Sequence, residues 1–298
     1  MPMAALELDA MTWPQVQAQI EAGRDTVVLA LGATEQHGRH MPLATDALIG
    51  DHLARAIAER LDAFAAPTVR VGCSSHHVGF AGTMSVSEET FHALVAELVR
   101  SLCAGGFRRV VLLPTHGGNF APLAAAVAKL PDDLRARVTA LTDLGVLFGI
   151  AQIGEREHGV PLSEGGLHAG EWETSLMLAI HPHLVRMQDA EAGFTGDPQQ
   201  AIEGIFAEGG VAALSRNGTL GDPARASAEH GERYWAAALQ IVAEQVAAAS
   251  EREAPDARPP RPGGEGQNAS APGGRGRAGG RGREDVPAAS APPPPPPV

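Results

Sequence analysis

Residues 26–61 constrain this chain more than any other stretch. Thr26-Val-Val-Leu-Ala-Leu-Gly32 is a short β-branched and aliphatic run, the pattern of a buried strand. From Asp46 to Leu61 the apolar residues recur at helical spacing. What lies between, Gly32 to Asp46, is therefore a loop that leaves the carboxyl end of a strand and enters a helix. In open α/β sheets ligands bind at that position.

Three side chains of this loop have metal-ligand chemistry. Glu35 and His37 are two apart, so an extended backbone projects them to one side. Asp46 stands at the start of the next helix, where the loop can fold it back toward them. Two carboxylates and an imidazole suit zinc or manganese, and a carboxylate can bridge two ions. From these three residues alone the other reading is open: Asp46 as an N-cap beside Thr45, with Glu35 and His37 as solvated loop residues.

The same alternation continues along the chain. Thr12-Trp13-Pro14-Gln15 predicts a helix start, with Thr12 as cap and Pro14 in the first turn. Pro67-Thr-Val-Arg-Val-Gly72 is a second strand candidate and runs into a Ser-, His- and Gly-rich loop containing Ser74, His76 and His77. A periodic helix follows from Ser87 through Cys103, with acids in its first turn. Phe107 to Leu113 is the clearest strand; it enters Pro114-Thr-His116-Gly117-Gly118-Asn119, and a helix continues from Ala121 to Leu130. His116 thus occupies the same topological position as Glu35. Arg137 to Thr142 predicts a fourth strand, and the Gly-rich segment 154–166 an active-site loop or lid.

His168-Ala-Gly-Glu171-Trp172-Glu173-Thr-Ser175 opens a predicted helix that ends before His181-Pro182. At about 100° per residue, Glu171 shares a face with His168 and Glu173 is turned away. Residues 209–223 read as turn-rich, and Glu229 to Ala249 as a final Ala-rich helix. From about Glu251 the composition shifts to Pro, Gly, Ala, Ser and Arg and ends in six prolines. That segment cannot bury enough apolar surface to fold, so we expect a domain over 1–250 and a disordered tail over 251–298.

Composition excludes several classes. A net charge of −12 argues against a general nucleic-acid binder. Two cysteines, Cys73 and Cys103, make no disulfide framework and fit a reducing cytoplasm. There is no signal-like start and no apolar run of membrane-spanning length, so a cytoplasmic protein without a membrane partner is the expectation.

Glu35-Gln-His37-Gly, Thr45-Asp46, Gly82-Thr83, His116-Gly-Gly-Asn119 and His168-Ala-Gly-Glu-Trp-Glu-Thr-Ser175, in this order, make the sequence resemble the creatininase (creatinine amidohydrolase) family over roughly Asp25 to Ala249. The resemblance implies a three-layer αβα sandwich around a largely parallel sheet. It also implies a pair of divalent ions, zinc with manganese possible at one site, and hydrolysis of C–N bonds in a cyclic amide, a formamide or a peptide-like substrate. A homo-oligomer, often a hexamer, is implied as well. Carried over by motif, Glu35 and His116 bind one ion, His37 the other, and Asp46 bridges them. Creatininase itself has a glutamate where this chain has Gly118; we expect Glu171 to supply the missing carboxylate, which the face shared with His168 permits, with Glu173 as a supporting or helix-packing residue and the alternative ligand. His168 matches the catalytic histidine, for proton transfer or oxyanion stabilisation. Ser74, His77 and Gly117 are candidates for contact with substrate; His40, His52 and His76 are given no role.

Two ions would lower the pKa of a shared water, and an amide hydrolase is the reading adopted. A non-catalytic metal-stabilised binding protein and a two-metal phosphohydrolase are the alternatives; the shortage of basic residues around the motifs, Arg39 apart, disfavours phosphate. Residues 159–167 carry no aromatic clamp and Trp172 is expected to turn away, which predicts a substrate larger than creatinine.

Overall fold

The computed structural model describes the backbone of residues 5–253 and the side chains of residues 5–249. The tail expected from Glu251 lies, beyond Glu253, outside the described residues. In chain order the elements are β1 (Leu6–Glu7), α1 (Trp13–Glu21), β2 (Thr26–Leu31), α2 (Thr45–Leu61), β3 (Phe64–Ala65), α3 (Glu88–Ala104), β4 (Arg109–Pro114), α4 (Phe120–Ala128), the single turn α5 (Asp132–Arg135) and β5 (Val138–Ala140). They continue with α6 (Gly145–Ile153), the single turn α7 (Leu162–Gly165), α8 (Glu171–Ile180), α9 (Pro198–Ile205), α10 (Gly210–Leu214) and α11 (Ala228–Glu253).

Local chemistry accounts for the helix starts. Thr12 and Gln15 satisfy each other's backbone N–H groups in a capping box ahead of α1. The Ser87 hydroxyl accepts from the Thr90 N–H at the start of α3. Asp46, by contrast, caps nothing: α2 begins at Thr45, and Asp46 lies buried inside its first turn.

The five strands form one sheet of order β1-β3-β2-β4-β5, and every pairing is parallel. Successive side chains on a strand face opposite ways, which splits the interior in two. Val28, Ala30, Val111 and Leu113 pack with α2, α6, α8 and α11 on one face. Val27, Leu29, Leu31, Val110 and Leu112 pack with α3, α4 and the apolar side of α1 on the other. This is the three-layer α/β arrangement, with its sheet parallel throughout.

The topology places the site. After β2 the chain crosses through α2 to β3 on one side of the sheet; after β4 it crosses through α4 to β5 on the other. The loops leaving the adjacent carboxyl ends of β2 and β4 therefore part, and the crevice between them is the switch point of the sheet.

Three expected elements differ. Residues 67–72 are not a continuous strand: they follow β2 through isolated backbone bonds, Val69 N–H to Ala30 O and Gly32 N–H to Val69 O, because Pro67 has no N–H to give to a ladder. Residues 154–166 are not an open lid but a π turn (Gly154–His158) continuing α6, followed by α7. The helix expected from His168 starts at Glu171, after Ala169 at φ +52° and Gly170 as N-cap.

Candidate metal and catalytic site

Each loop at the switch point delivers buried ionisable groups. The loop after β2 supplies Glu35 and His37, α2 supplies Asp46, the loop after β4 supplies His116, and the segment 168–173 supplies His168 and Glu173; all are buried. Asp46 faces two imidazoles with its two oxygens: Oδ1 is 3.2 Å from His37 Nε2, and Oδ2 is 3.2 Å from His116 Nδ1. Glu35 Oε1 is 3.3 Å from His116 Nδ1, 3.3 Å from His77 Nε2 and 3.8 Å from His168 Nδ1. Three sets of ligand atoms converge: Glu35, Asp46 and His116; His37, Asp46 and Glu173; and Glu35, His37 and His168.

The donor set fits divalent cations. Both oxygens of Glu35, His37 Nε2 and Asp46 Oδ2 are buried without a hydrogen-bond partner, and desolvated carboxylate oxygens left so are costly unless a cation meets them. The histidines are oriented as metal ligands are. His37 Nδ1 lies 3.2 Å from Glu35 O, His116 Nε2 3.2 Å from Cys73 O, and His168 Nε2 2.7 Å from Gln36 O. A backbone carbonyl only accepts, so each ring keeps a proton on that nitrogen and turns its other nitrogen to the cluster, where a cation or a second proton can meet it.

Electrostatics agree. Burial disfavours charge on His37, but Asp46, Glu173 and Glu35 outweigh it and raise its pKa to about 9. Burial likewise opposes the charged form of His116, and Glu35 and Asp46 raise it well above the usual histidine range. Burial also opposes the charge of Asp46, yet His37 and His116 hold its pKa well below the ordinary carboxylate value. In effect, protons occupy positions a cation would take. Glu173 is raised to about 7, first by burial and then by the neighbouring carboxylates, with His37 and the Ala169 N–H opposing. Burial and the charge of His37 hold His168 well below the usual range, so it is neutral at pH 7.

The expected ligand Glu171 is elsewhere. Its buried carboxylate accepts from Tyr234 Oη at 2.5 Å, His230 Nδ1 at 2.7 Å and Ser175 Oγ at 3.0 Å, tying α8 to α11. The helical-face argument fails because His168 lies outside the helix. With Gly170 as N-cap, Glu173 is the third helical residue and reaches back to the Ala169 N–H, 2.6 Å away. A glycine directly before two acids was the sequence signal for that phase. Gly118 cannot host the alternative carboxylate: a Cβ there would lie 2.4 Å from His116 Nε2 and 2.5 Å from Cys73 O.

A cavity of about 110 Å³ opens beside the cluster, with Glu35, Asp46, His116, His168 and Glu173 at its polar end. Leu144, Leu147 and Phe148 in and beside α6 and Ile202, Ile205 and Phe206 in and beside α9 form apolar walls. His77 and Gly117 line it as expected; Ser74 stands behind His116, its Oγ 3.3 Å from Nε2, and is not among the lining residues. His76, given no role above, also lines it, its ring parallel to that of His116 at 5.6 Å. Trp172, expected to turn away, is part of the wall, and its indole Nε1 is buried without a partner. Among the described residues no Lys or Arg lines the cavity, which disfavours a phosphate substrate. Gln36, missed as a functional residue, bonds to both His77 and His168. His40 is buried against Thr174 at 2.9 Å, and His52 lies apart, packed on Trp235.

Both cysteines are free and buried. Among the described residues no helix is long and apolar enough to cross a membrane.

Comparison with known proteins is consistent with this geometry. The sequence profile of the creatininase family, described as creatinine amidohydrolase, matches residues 9–246. The mycofactocin precursor peptide peptidase of Mycobacterium tuberculosis is 34% identical over 241 residues, 77% of this chain and 88% of that protein. The mycofactocin precursor peptide peptidase of Mycolicibacterium smegmatis is 36% identical, over 74% of this chain and 83% of its own. The creatinine amidohydrolase of Pseudomonas putida is 28% identical, over 79% and 94%. A manganese creatininase structure superposes with a TM-score of 0.70 at 28% identity, covering 84% of this chain and all of that one. The chain belongs to the creatininase family and is a hydrolase of carbon–nitrogen bonds.

Proposed function

We propose that this protein hydrolyses an amide bond in a peptide or peptide-like substrate, using two divalent ions. The observation that carries the two-ion reading is Asp46, whose two oxygens face His37 on one side and His116 on the other. Glu35, Asp46 and His116 would hold one ion, and His37, Asp46 and Glu173 the other. Zinc is the expected metal, with manganese at one site; a zinc–zinc form of a creatininase mutant and a manganese creatininase are among the similar structures. Bound there, the ions would supply an activated water near neutral pH and polarise the scissile carbonyl.

The protein's own groups do the rest. His168 presents an unprotonated Nδ1 toward the cluster and stays neutral at pH 7, so it can take a proton from the attacking water at that atom and return it to the leaving nitrogen. His77 turns its Nε2 toward Glu35 Oε1, 3.3 Å away. The apolar walls exclude water and grip an apolar portion of the substrate. A peptide-like amide is supported by those walls and by the names of the mycobacterial relatives. The cytoplasmic location and the homo-oligomer, up to a hexamer, belong to the same reading and rest on composition and resemblance.

The test is turnover by protein loaded with Zn²⁺ or Mn²⁺ on a panel of short peptides with apolar termini, formamides, lactams and creatinine, with new amines detected by mass spectrometry. Peptide cleavage that chelation abolishes is the expected result. Turnover of creatinine alone, or of no amide by protein carrying two ions, overturns the reading.

A further inference from the structure

Gln36 has every polar atom engaged inside the site. Its backbone N–H donates to Thr83 Oγ1 at 3.2 Å, and its backbone carbonyl accepts from His168 Nε2 at 2.7 Å. Its side-chain Oε1 accepts from the Gly38 N–H at 3.0 Å, an atom that can only donate, so the amide orientation is determined. The NH₂ group then has two donors and two acceptors within reach: the Gly218 carbonyl at 3.1 Å and His77 Nδ1 at 2.8 Å.

That arrangement settles two protons. His77 accepts at Nδ1, so its own proton is on Nε2, which points at Glu35 Oε1. His168 donates from Nε2 to the Gln36 carbonyl, so its Nδ1 is bare and faces Glu35 and the cluster. The close approach of Gln36 Nε2 to His168 Nε2, 3.0 Å, is then a donor–donor contact enforced by the bonds on either side. Gly218, at φ +82°, completes the cradle: a Cβ there would lie 2.1 Å from Gln36 Oε1. A glutamate at position 36 would have two acceptors and no donor, and a carboxylate oxygen would face the Gly218 carbonyl.

We propose that Gln36 is the positioning residue that sets the tautomer of His77 through its side-chain amide and that of His168 through its backbone carbonyl, so that one turns its N–H toward Glu35 while the other offers a bare nitrogen to the reaction. It touches neither substrate nor ion, and acts through both rings. The proposal rests on the amide-hydrolase reading for its consequence in rate, but not for its geometry.

The experiment is two-bond ¹H–¹⁵N correlation spectroscopy of ¹⁵N-histidine-labelled, Zn²⁺-loaded protein, with His77→Asn and His168→Asn spectra for assignment. Wild type is expected to carry the proton of both rings on Nε2. Gln36→Glu is expected to move the His77 proton to Nδ1, and Gln36→Met to leave His77 as a mixture of tautomers. Both variants should lose about 10–100-fold in kcat/KM, mainly in kcat, on whichever amide wild type cleaves. An Nδ1 proton on either ring in wild type overturns the proposal, and that spectrum decides even if the variants do not fold. Unchanged tautomers in Gln36→Glu with only a lower Tm overturn it too. Failure of every substrate on the amide panel would refute the proposed reaction and leave the wild-type tautomers as a separate result.

Discussion

The two glutamates of α8 give the sharpest prediction, because the structure assigns them opposite jobs. Glu171 is a buried carboxylate accepting three hydrogen bonds that join α8 to α11. Hydrogen bonds to a charged group contribute roughly 1.5–3 kcal/mol each. In Glu171→Gln one carboxylate oxygen becomes an amide that donates, so it no longer accepts from Tyr234 or from His230. The expected loss is about 2–4 kcal/mol, which for a domain of this size lowers Tm by roughly 5–15 °C. Glu173 accepts one bond, from the Ala169 N–H, and glutamine retains that acceptor. Because the pKa of Glu173 is raised to about 7, the ion-free protein at pH 7 already carries much of it neutral. Glu173→Gln should therefore change the stability of EDTA-treated protein by less than about 1 kcal/mol, and remove a ligand from one ion. The assay pairs elemental analysis after dialysis with calorimetry of the chelated protein. Glu171→Gln should keep two ions and melt early; Glu173→Gln should hold one ion and melt as wild type does. The reverse pattern, an ion lost from Glu171→Gln at unchanged Tm, would refute the helix phase and the site built on it.

Three further outcomes follow from the same geometry. In ion-free protein, folded-state pKa values raised for Glu173 and His37 contribute stability that is fully present below their unfolded values and fades as pH rises through about 7 and then about 9. Tm after EDTA treatment should accordingly fall from pH 6 to pH 9, and the gain in Tm on adding Zn²⁺ should grow over that window; a flat profile would contradict it. Gly118→Ala should push on His116 and Cys73 and weaken the ion held by His116, read as a raised Zn²⁺ dissociation constant in competition with a chelating dye; unchanged affinity would show that the loop yields freely. Trp172→Phe removes an indole N–H that has no partner in the protein, so Tm should be kept while KM for a cleaved amide rises about 3- to 10-fold; an unchanged KM would show that the N–H meets no substrate.

Much of this site was legible in the sequence because it depends on local order. Val27 to Leu31 and Val110 to Leu113 are apolar on both faces, which only a strand buried between two helical layers accommodates, and the loops at their ends had to carry the chemistry. Glu35, His37, Asp46 and His116 follow those strands, His168 was named from the family resemblance, and the structure brings all five together. The rest depended on packing that residue order does not encode. Glu171 and Glu173 are separated by two positions, and which one meets His37 turns on where α8 begins; that was settled by the left-handed Ala169 and by Tyr234 and His230, which arrive from α11 about sixty residues later to claim Glu171. Trp172 reached the cavity wall through the same shift in helix phase. Gln36 had no visible role between its two acidic and basic neighbours, since His77, His168 and Gly218 come from three distant segments. Side-chain type and local periodicity determined which chemistry this chain has at hand; burial and long-range hydrogen bonding decided which of two similar carboxylates is tied between helices and which stands beside His37 and Asp46.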